Sequence, residues 1–278
     1  MPCDLCDDTG WKAVTTDGVR RVVRCDCWLS DLAAKTLKSS GIPPRYQKCD
    51  LDSFRDYNDT LVRAVTKAKA LAESFPVVEK GLLFLGQPGI GKTHLAVGIL
   101  RRIVQRTGAS AVFYDTRTLL STIRSTYNAV VKTTEISVIR PVMEAQFLVL
   151  DDLGAERPSE WVEETMNLII NTRYNMKRLT VFTSNYPEVQ KPGSHAETLV
   201  ERIGARIFSR LFEMCEFVEM QGVHFRELHK DPTAEEILDL DKKGARLQKD
   251  VGDKRKTMLR AQLKPGKELG WTGGKAST

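Results

Sequence analysis

The stretch Gly81–Arg106, GLLFLGQPGIGKTHLAVGILRRIVQR, restricts the fold of this chain more than any other. Gly86, Gly91, Lys92 and Thr93 fill the pattern G-x-x-x-x-G-K-[ST], a loop whose backbone N–H groups cradle phosphates. Leu82 to Leu85 read as a buried strand before the loop. Leu95, Ala96, Ile99, Leu100, Ile103 and Val104 after it have the spacing of an amphipathic helix. Strand, glycine loop and helix aim backbone amides and a helix N-terminus at an anion. The candidate nucleotide cradle is therefore Gly86, Gln87, Pro88, Gly89, Ile90, Gly91, Lys92, Thr93 and His94. Lys92 is placed to reach the β and γ phosphates and Thr93 to ligate Mg²⁺. The bland alternative is a proline–glycine turn that caps a helix.

Downstream, strand and helix patterns alternate. Strands are expected at Ala111 to Tyr114, Phe147 to Leu150, Leu179 to Thr183 and Glu216 to Met220, with helices at Thr118 to Tyr127 and Trp161 to Tyr174. Such alternation implies a parallel sheet covered by helices, with ligands bound beyond the carboxyl ends of the strands. Two strand ends carry candidate chemistry. Asp151 and Asp152 follow a buried run, so one carboxylate can hold Mg²⁺ through water while its neighbour orients or deprotonates an attacking water; adjacent acids could instead cap the next turn. Asn185, ending Thr183-Ser-Asn, is a neutral amide able to sense a γ-phosphate, or an ordinary turn residue before Pro187.

Arg202, Arg206 and Arg210 are four apart, which stacks them on one face of a helix. Like charges so spaced cost about 0.2–0.5 kcal/mol per pair unless an anion offsets them. A triphosphate held by a neighbouring copy is one such anion, and an arginine supplied in trans raises hydrolysis by orders of magnitude. The alternative is a solvated stripe balanced by Glu201 and Glu213. Arg226, just past the last strand, could reach the nucleotide of its own subunit.

Near the N-terminus Cys3 and Cys6 form C-x-x-C, and Cys25 and Cys27 form C-x-C. Asp17-Gly18 between two valine-containing runs signals a hairpin, which would bring the pairs together. Four thiolates can close a tetrahedral Zn²⁺ site, and a piece this small needs metal for most of its folding energy. The alternative is four unliganded thiols on a loose arm. Cys49 lies outside the pairs as a reserve ligand or a buried thiol; Cys215 reads as core. Trp28 to Lys38 and Asn58 to Phe75 read as helices, the first broken by SSGIPP and the second capped by Asn58.

With 278 residues the chain can bury one main domain plus appendages. No apolar run approaches the roughly 20 residues that span a bilayer. The N-terminus lacks a secretory pattern, so a cytoplasmic setting is expected and the six cysteines favour metal or buried thiols over disulfides. A net charge of +6 permits nucleic-acid binding without demanding it.

From GIPPRY at Gly41–Tyr46 through GQPGIGKTHLA, FLVLDDLGAE, TSN and ERIGARIFSRL to HFR at His224–Arg226, the chain resembles the DnaC/DnaI helicase loaders and IstB transposition ATPases, a branch of AAA+ proteins. The resemblance implies an ATPase using ATP and Mg²⁺. Lys92 and Thr93 would be Walker A residues, Asp151 and Asp152 Walker B, Asn185 sensor 1, Arg226 sensor 2, Arg210 the arginine finger and Arg206 a further interface arginine of a homo-oligomer. The large helical lid of many AAA+ proteins would be missing. It also implies an N-terminal appendage (residues 1–45, zinc-binding in the DnaI branch) that grips the replicative helicase, and an ATPase domain over 46–226 that contacts single-stranded DNA. Residues 227–278 fall outside the resemblance; rich in Lys, Asp and Gly, they read as a basic, partly disordered tail. Arg117, Arg124, Tyr127 and Lys132, and separately Arg173 with Tyr174, are the DNA candidates. The alternatives are an IstB-like helper acting on duplex DNA and a module that holds nucleotide without turnover.

Overall fold

The structure is a computed structural model that describes residues 3–16, 18–127, 134–190, 196–227, 235–237 and 239–242. Asp17, Lys132 and the apolar pattern at Met258 to Leu263 lie outside the described residues. The chain forms two units, 1–229 and 230–278, the second described only at its helical residues 235–237 and 239–242. No described helix is long and apolar enough to cross a membrane.

The first unit begins with a hairpin of β1 (Trp11–Thr16) and β2 (Val19–Arg24), paired antiparallel with Thr16 opposite Val19. The hairpin that Asp17-Gly18 signals is thus present in its strand pairing. The main sheet contains β3 (Gly81–Leu85), β4 (Ala111–Asp115), β5 (Phe147–Asp151), β6 (Leu179–Ser184) and β7 (Cys215–Glu219). All neighbouring pairs are parallel, in the order β4-β5-β6-β3-β7. β3 and β5 are buried along their whole length and apolar until Asp151, as a sheet covered on both faces requires.

Alternation along the strands divides the core into two. Leu82, Phe84, Phe147, Val149, Val181 and Val218 face α1 (Asp26–Ser39), α2 (Asp59–Ser74) and α3 (Lys92–Thr107). Leu83, Leu85, Leu148, Leu150 and Phe182 face α4 (Thr116–Ser125), α5 (Glu135–Glu144), α6 (Glu160–Asn175), α7 (Leu199–Ile203) and α8 (Ala205–Met214). Each such Leu or Phe contributes about 1.5–3 kcal/mol by burial, so the strands are fixed before any polar group is considered. Asn58 accepts from the Thr60 and Leu61 amides and starts α2, as its type suggests. α4 begins two residues earlier than the apolar spacing suggests because Asp115 caps it, accepting from Thr118 N–H.

α1 is joined to the main sheet. Ala33 is buried in the first core, and Phe113 N–H of the edge strand β4 donates to Ser40 O at 2.7 Å. The helix therefore anchors the cysteine hairpin to the α/β layers.

Candidate functional site

Strand order places three strand ends around the glycine loop. β6 lies between β3 and β5, so Asn185 sits between the loop and the paired aspartates. Lys92 is buried at the start of α3, and its Nζ donates to Gly86 O (2.8 Å), Gln87 O (2.8 Å) and Asn185 Oδ1 (2.7 Å). An ammonium has three protons, and each has an acceptor. Asn185 Nδ2 donates onward to Asp152 Oδ1 at 2.5 Å. The amide orientation is forced: lysine only donates and a carboxylate only accepts. Burial draws the Lys92 pKa down to about 8, against the opposing pull of Asp151 and Asp152.

Thr93 Oγ1 donates to the Asp151 carboxylate at 2.9 Å, and Thr183 Oγ1 donates to Asp151 Oδ1 at 2.6 Å. Thr183 Oγ1 also accepts from Asp152 N–H at 2.9 Å, and Thr116 Oγ1 donates to Asp151 O at 2.8 Å. Thr183 and Thr116 were not among the residues expected from the sequence. Both are small hydroxyls in buried positions, and the signal that marks them is a threonine at a buried strand or helix end beside an acid. Asp152 adopts φ of 56°, a left-handed conformation in which its side chain turns toward Asn185. Burial raises the pKa of both acids, and the neighbouring carboxylates of Asp152 and Asp115 push that of Asp151 further the same way. A hydroxyl and a buried carboxylate sharing one point are hard oxygen donors that suit Mg²⁺, so the residues fit the metal that the loop implies.

The segment after β7 closes over the loop. Phe225 N–H donates to Gly89 O at 3.1 Å, and His224 lies so close that a Cβ on Gly89 would stand 2.2 Å from its ring. With φ of 83°, position 89 needs glycine on both counts. This docking carries Arg226 near enough for its charge to act on Lys92. His94 points elsewhere: its Nε2 bonds Asp50 O at 2.8 Å and its ring meets Phe54 edge-on. Its imidazole ties α3 to the 50–54 segment.

Two expectations for basic residues change. Arg202, Arg206 and Arg210 do not lie on one helix, because Gly204 adopts φ 82°, ψ 151° and separates α7 from α8. Arg202 turns inward, donating to Gly154, Ala155 and Glu156 carbonyls and pairing with Glu197 at 3.1 Å. Arg206 is exposed and Arg210 half-buried on α8, Arg210 donating to Arg206 O at 3.0 Å. The balancing acids are otherwise engaged: Glu201 completes a capping box with Thr198, and Glu213 accepts from Tyr174 Oη at 2.5 Å.

Arg173 is no nucleic-acid contact. It is 1% exposed, and its guanidinium donates to Thr180 Oγ1 and to the carbonyls of Val142, Met143, Ala145 and Leu179. Its partner Tyr174 is tied to Glu213. Of the other candidates, Arg117 donates to Ala155 O, and Arg124 lies over the Trp161 ring at 4.6 Å. Tyr127 is exposed beside that same ring.

In the hairpin, the Sγ atoms of Cys3, Cys6, Cys25 and Cys27 all lie within 4.8 Å of one another. The closer pairs, Cys3–Cys25 at 3.7 Å and Cys6–Cys27 at 3.2 Å, approach the roughly 3.8 Å edge of a tetrahedron with Zn–S bonds of about 2.3 Å. The thiols are free, and backbone amides at the Cys27 end hold the Cys25 thiol down to about 7. The donor set fits zinc. Cys49 stands outside the cluster, half-buried against the first core, and Cys215 is buried in β7. Chelation is expected to loosen the hairpin alone. Limited proteolysis with and without a strong chelator should show new cleavage before residue 26 and none in the sheet; equal protection in both would remove metal from the account.

A parallel sheet in this order, with a glycine loop after β3, paired acids after β5 and a polar residue after β6, defines a P-loop AAA+ protein. Residues 33–233 match the IstB-like ATP binding protein family, and the chain belongs to it. It is 27% identical over 177 residues to the replicative helicase loader DnaC of Escherichia coli K12, covering 64% of this chain and 68% of that one. The uncharacterized protein YdaV of the same strain is 26% identical over 179 residues, covering 64% and 67%. Among solved structures, the DnaC helicase loader superposes with a TM-score of 0.57 at 33% identity, over 64% of this chain and all of that one. DnaI superposes with a TM-score of 0.54 at 23% identity, over 65% and 95%, a likeness of fold.

Proposed function

We propose that this protein is an ATP-hydrolysing loader of the replicative hexameric helicase that also contacts single-stranded DNA. The observation that carries the nucleotide half is the continuous network Lys92–Asn185–Asp152 beside Thr93–Asp151–Thr183, which gathers a cation, a metal-binding oxygen pair and a polar relay at one phosphate-sized point. The loader half rests on the similarity to the DnaC loaders.

In this reading the loop amides and Lys92 bind the phosphates, Thr93 and Asp151 hold Mg²⁺, Asp152 takes the proton of the attacking water, and Asn185 orients that water. The Mg²⁺ supplies charge neutralisation for the phosphates. Arg226 faces the site from its own chain. Arg210, with Arg206 beside it, completes the site of an adjoining copy. ATP occupancy favours association with DNA and helicase, and turnover releases the loader. The cysteine hairpin with its zinc grips the helicase.

Lys92 gives the reading a pH signature. Triphosphate binds the ammonium form and raises its pKa above the value of about 8 in the unliganded protein. Affinity for ATP is therefore expected to be flat below pH 8 and to fall by about tenfold per pH unit above it, until the complex itself titrates. Equilibrium binding of a fluorescent ATP analogue from pH 7 to 10 measures this; a flat profile removes Lys92 from the phosphates.

Arg210→Ala is expected to leave ATP binding intact and to lower turnover by a factor on the order of 10³ in the presence of DNA and helicase. Normal turnover would end the trans-acting assignment. The second reading, an IstB-like helper that assembles on duplex DNA, is favoured by the family match. Capture of the host helicase by the full-length protein in ATP, against co-sedimentation with duplex DNA, separates the two.

A further inference from the structure

We propose that the open face of the cysteine hairpin is a single-stranded nucleic-acid contact, separate from any contact made by the ATPase layers. Side chains alternate along β-strands, and the register Trp11–Arg24, Ala13–Val22 and Thr15–Arg20 puts these six residues on one face. All six are exposed. In an ordinary two-stranded element one face covers a core. Here the other face, with Lys12, Val14 and Val23, is the more enclosed, and this one covers nothing.

Its chemistry selects the occupant. Arg24 Cζ lies 3.8 Å above the Trp11 ring and 4.3 Å from the Trp28 ring, forming an indole–guanidinium–indole stack. Trp11 and Trp28 remain 46% and 37% exposed, so ring surface is left for a further planar group. Arg20, at the far end of the face, makes no hydrogen bond or ion pair among the described residues; Arg21, opposite Val14, belongs to the other face. The arm's ion pair, Lys12 with Asp26 at 2.6 Å, belongs to the opposite face. None of the arm's acids falls within β1 or β2: Asp4, Asp7 and Asp8 precede the strands, Asp17 comes between them in sequence, and Asp26 and Asp31 belong to α1.

The strands thus present π surface and unpaired guanidinium groups without carboxylates between them. That combination complements a flexible polyanion with exposed bases: bases stack on the indoles while phosphates pair with Arg20 and Arg24. Duplex DNA hides its bases. A protein partner would need apolar or acidic matching, and Val22 is the face's one large aliphatic group.

The inference depends on the metal-held hairpin and not on the nucleotide reading. The test uses the full-length zinc-loaded protein without nucleotide, and a labelled oligothymidylate read by fluorescence anisotropy. Arg20→Glu, at an exposed side chain with no hydrogen bond or ion pair among the described residues, is expected to weaken binding and to lower the salt slope by about 0.7 for one phosphate contact. Trp11→Ala is expected to weaken binding by at least about fivefold and to reduce, with Trp28 still present, the quenching of indole fluorescence by the oligonucleotide. Zinc content and ATP turnover should not change in either variant. If Trp11→Ala loses zinc, Arg20→Glu alone decides. Unchanged DNA affinity in Arg20→Glu overturns the proposal, whether helicase capture is lost, which would make the face a protein-docking surface, or retained.

Discussion

Lys92→Ala is expected to reduce ATP turnover on the order of a thousandfold or more, with nucleotide affinity falling alongside. The side chain makes three contacts in the folded protein, to Gly86 O, Gln87 O and Asn185 Oδ1. Alanine removes the charge meant for the phosphates and the restraint on Asn185, so Asn185 is left fixed by Asp152 alone. The sheet should not notice: β3 and β5 are buried along their length and apolar but for Asp151. Phosphate release under single-turnover conditions, with circular dichroism to verify the fold, decides the matter. A variant keeping more than a tenth of normal turnover would show that the site lies elsewhere.

Arg173→Leu is expected to be among the most damaging substitutions outside the nucleotide site, costing about 3–5 kcal/mol. The guanidinium ties the end of α6 to the end of α5 and the start of β6, through carbonyls at Val142, Ala145 and Leu179 and the Thr180 hydroxyl. Leucine fills much of the volume but donates nothing, so buried carbonyls lose their partners. Burial already lowers the Arg173 pKa to about 9, yet no carboxylate is among its bonded partners. Arg173→Lys should recover only part of the loss, since one ammonium cannot span a planar fork of acceptors. Urea unfolding of the three proteins measures this. A loss below about 1 kcal/mol, with a selective drop in DNA affinity, would return Arg173 to the surface role its sequence neighbourhood suggests.

Arg173 also shows where reading from sequence stops. Arg-Tyr at the end of an amphipathic helix looks like a cation beside an aromatic, and nothing local says that the guanidinium turns inward. Three of its acceptors, the carbonyls of Val142, Met143 and Ala145, lie at the end of α5, two elements back in the chain. Arg202 fails for a different reason: spacing by four stacks arginines only if the helix is continuous, and Gly204, two residues on, takes an extended, positive-φ conformation that splits it. The loop, the acids after β5 and the amide after β6 were legible because each is a short apolar run ending in polar residues, a pattern carried by neighbours in sequence. The pairing of β6 between β3 and β5 is not local. Hence Asn185 was visible as a candidate, while Thr183 and Thr116, which fix the aspartates, were not.

The three acceptors on Lys92 have a consequence for ligand choice. All of them are uncharged oxygens already in place, so an incoming phosphate does not add a bond to an idle lysine; it must win an exchange. A ligand ending at its β-phosphate brings less negative charge to that exchange than one carrying a third phosphate. With Lys92 on the phosphates as proposed, selection between the di- and triphosphate forms would be written into the resting contacts of a single side chain, ahead of any motion of the rest of the molecule.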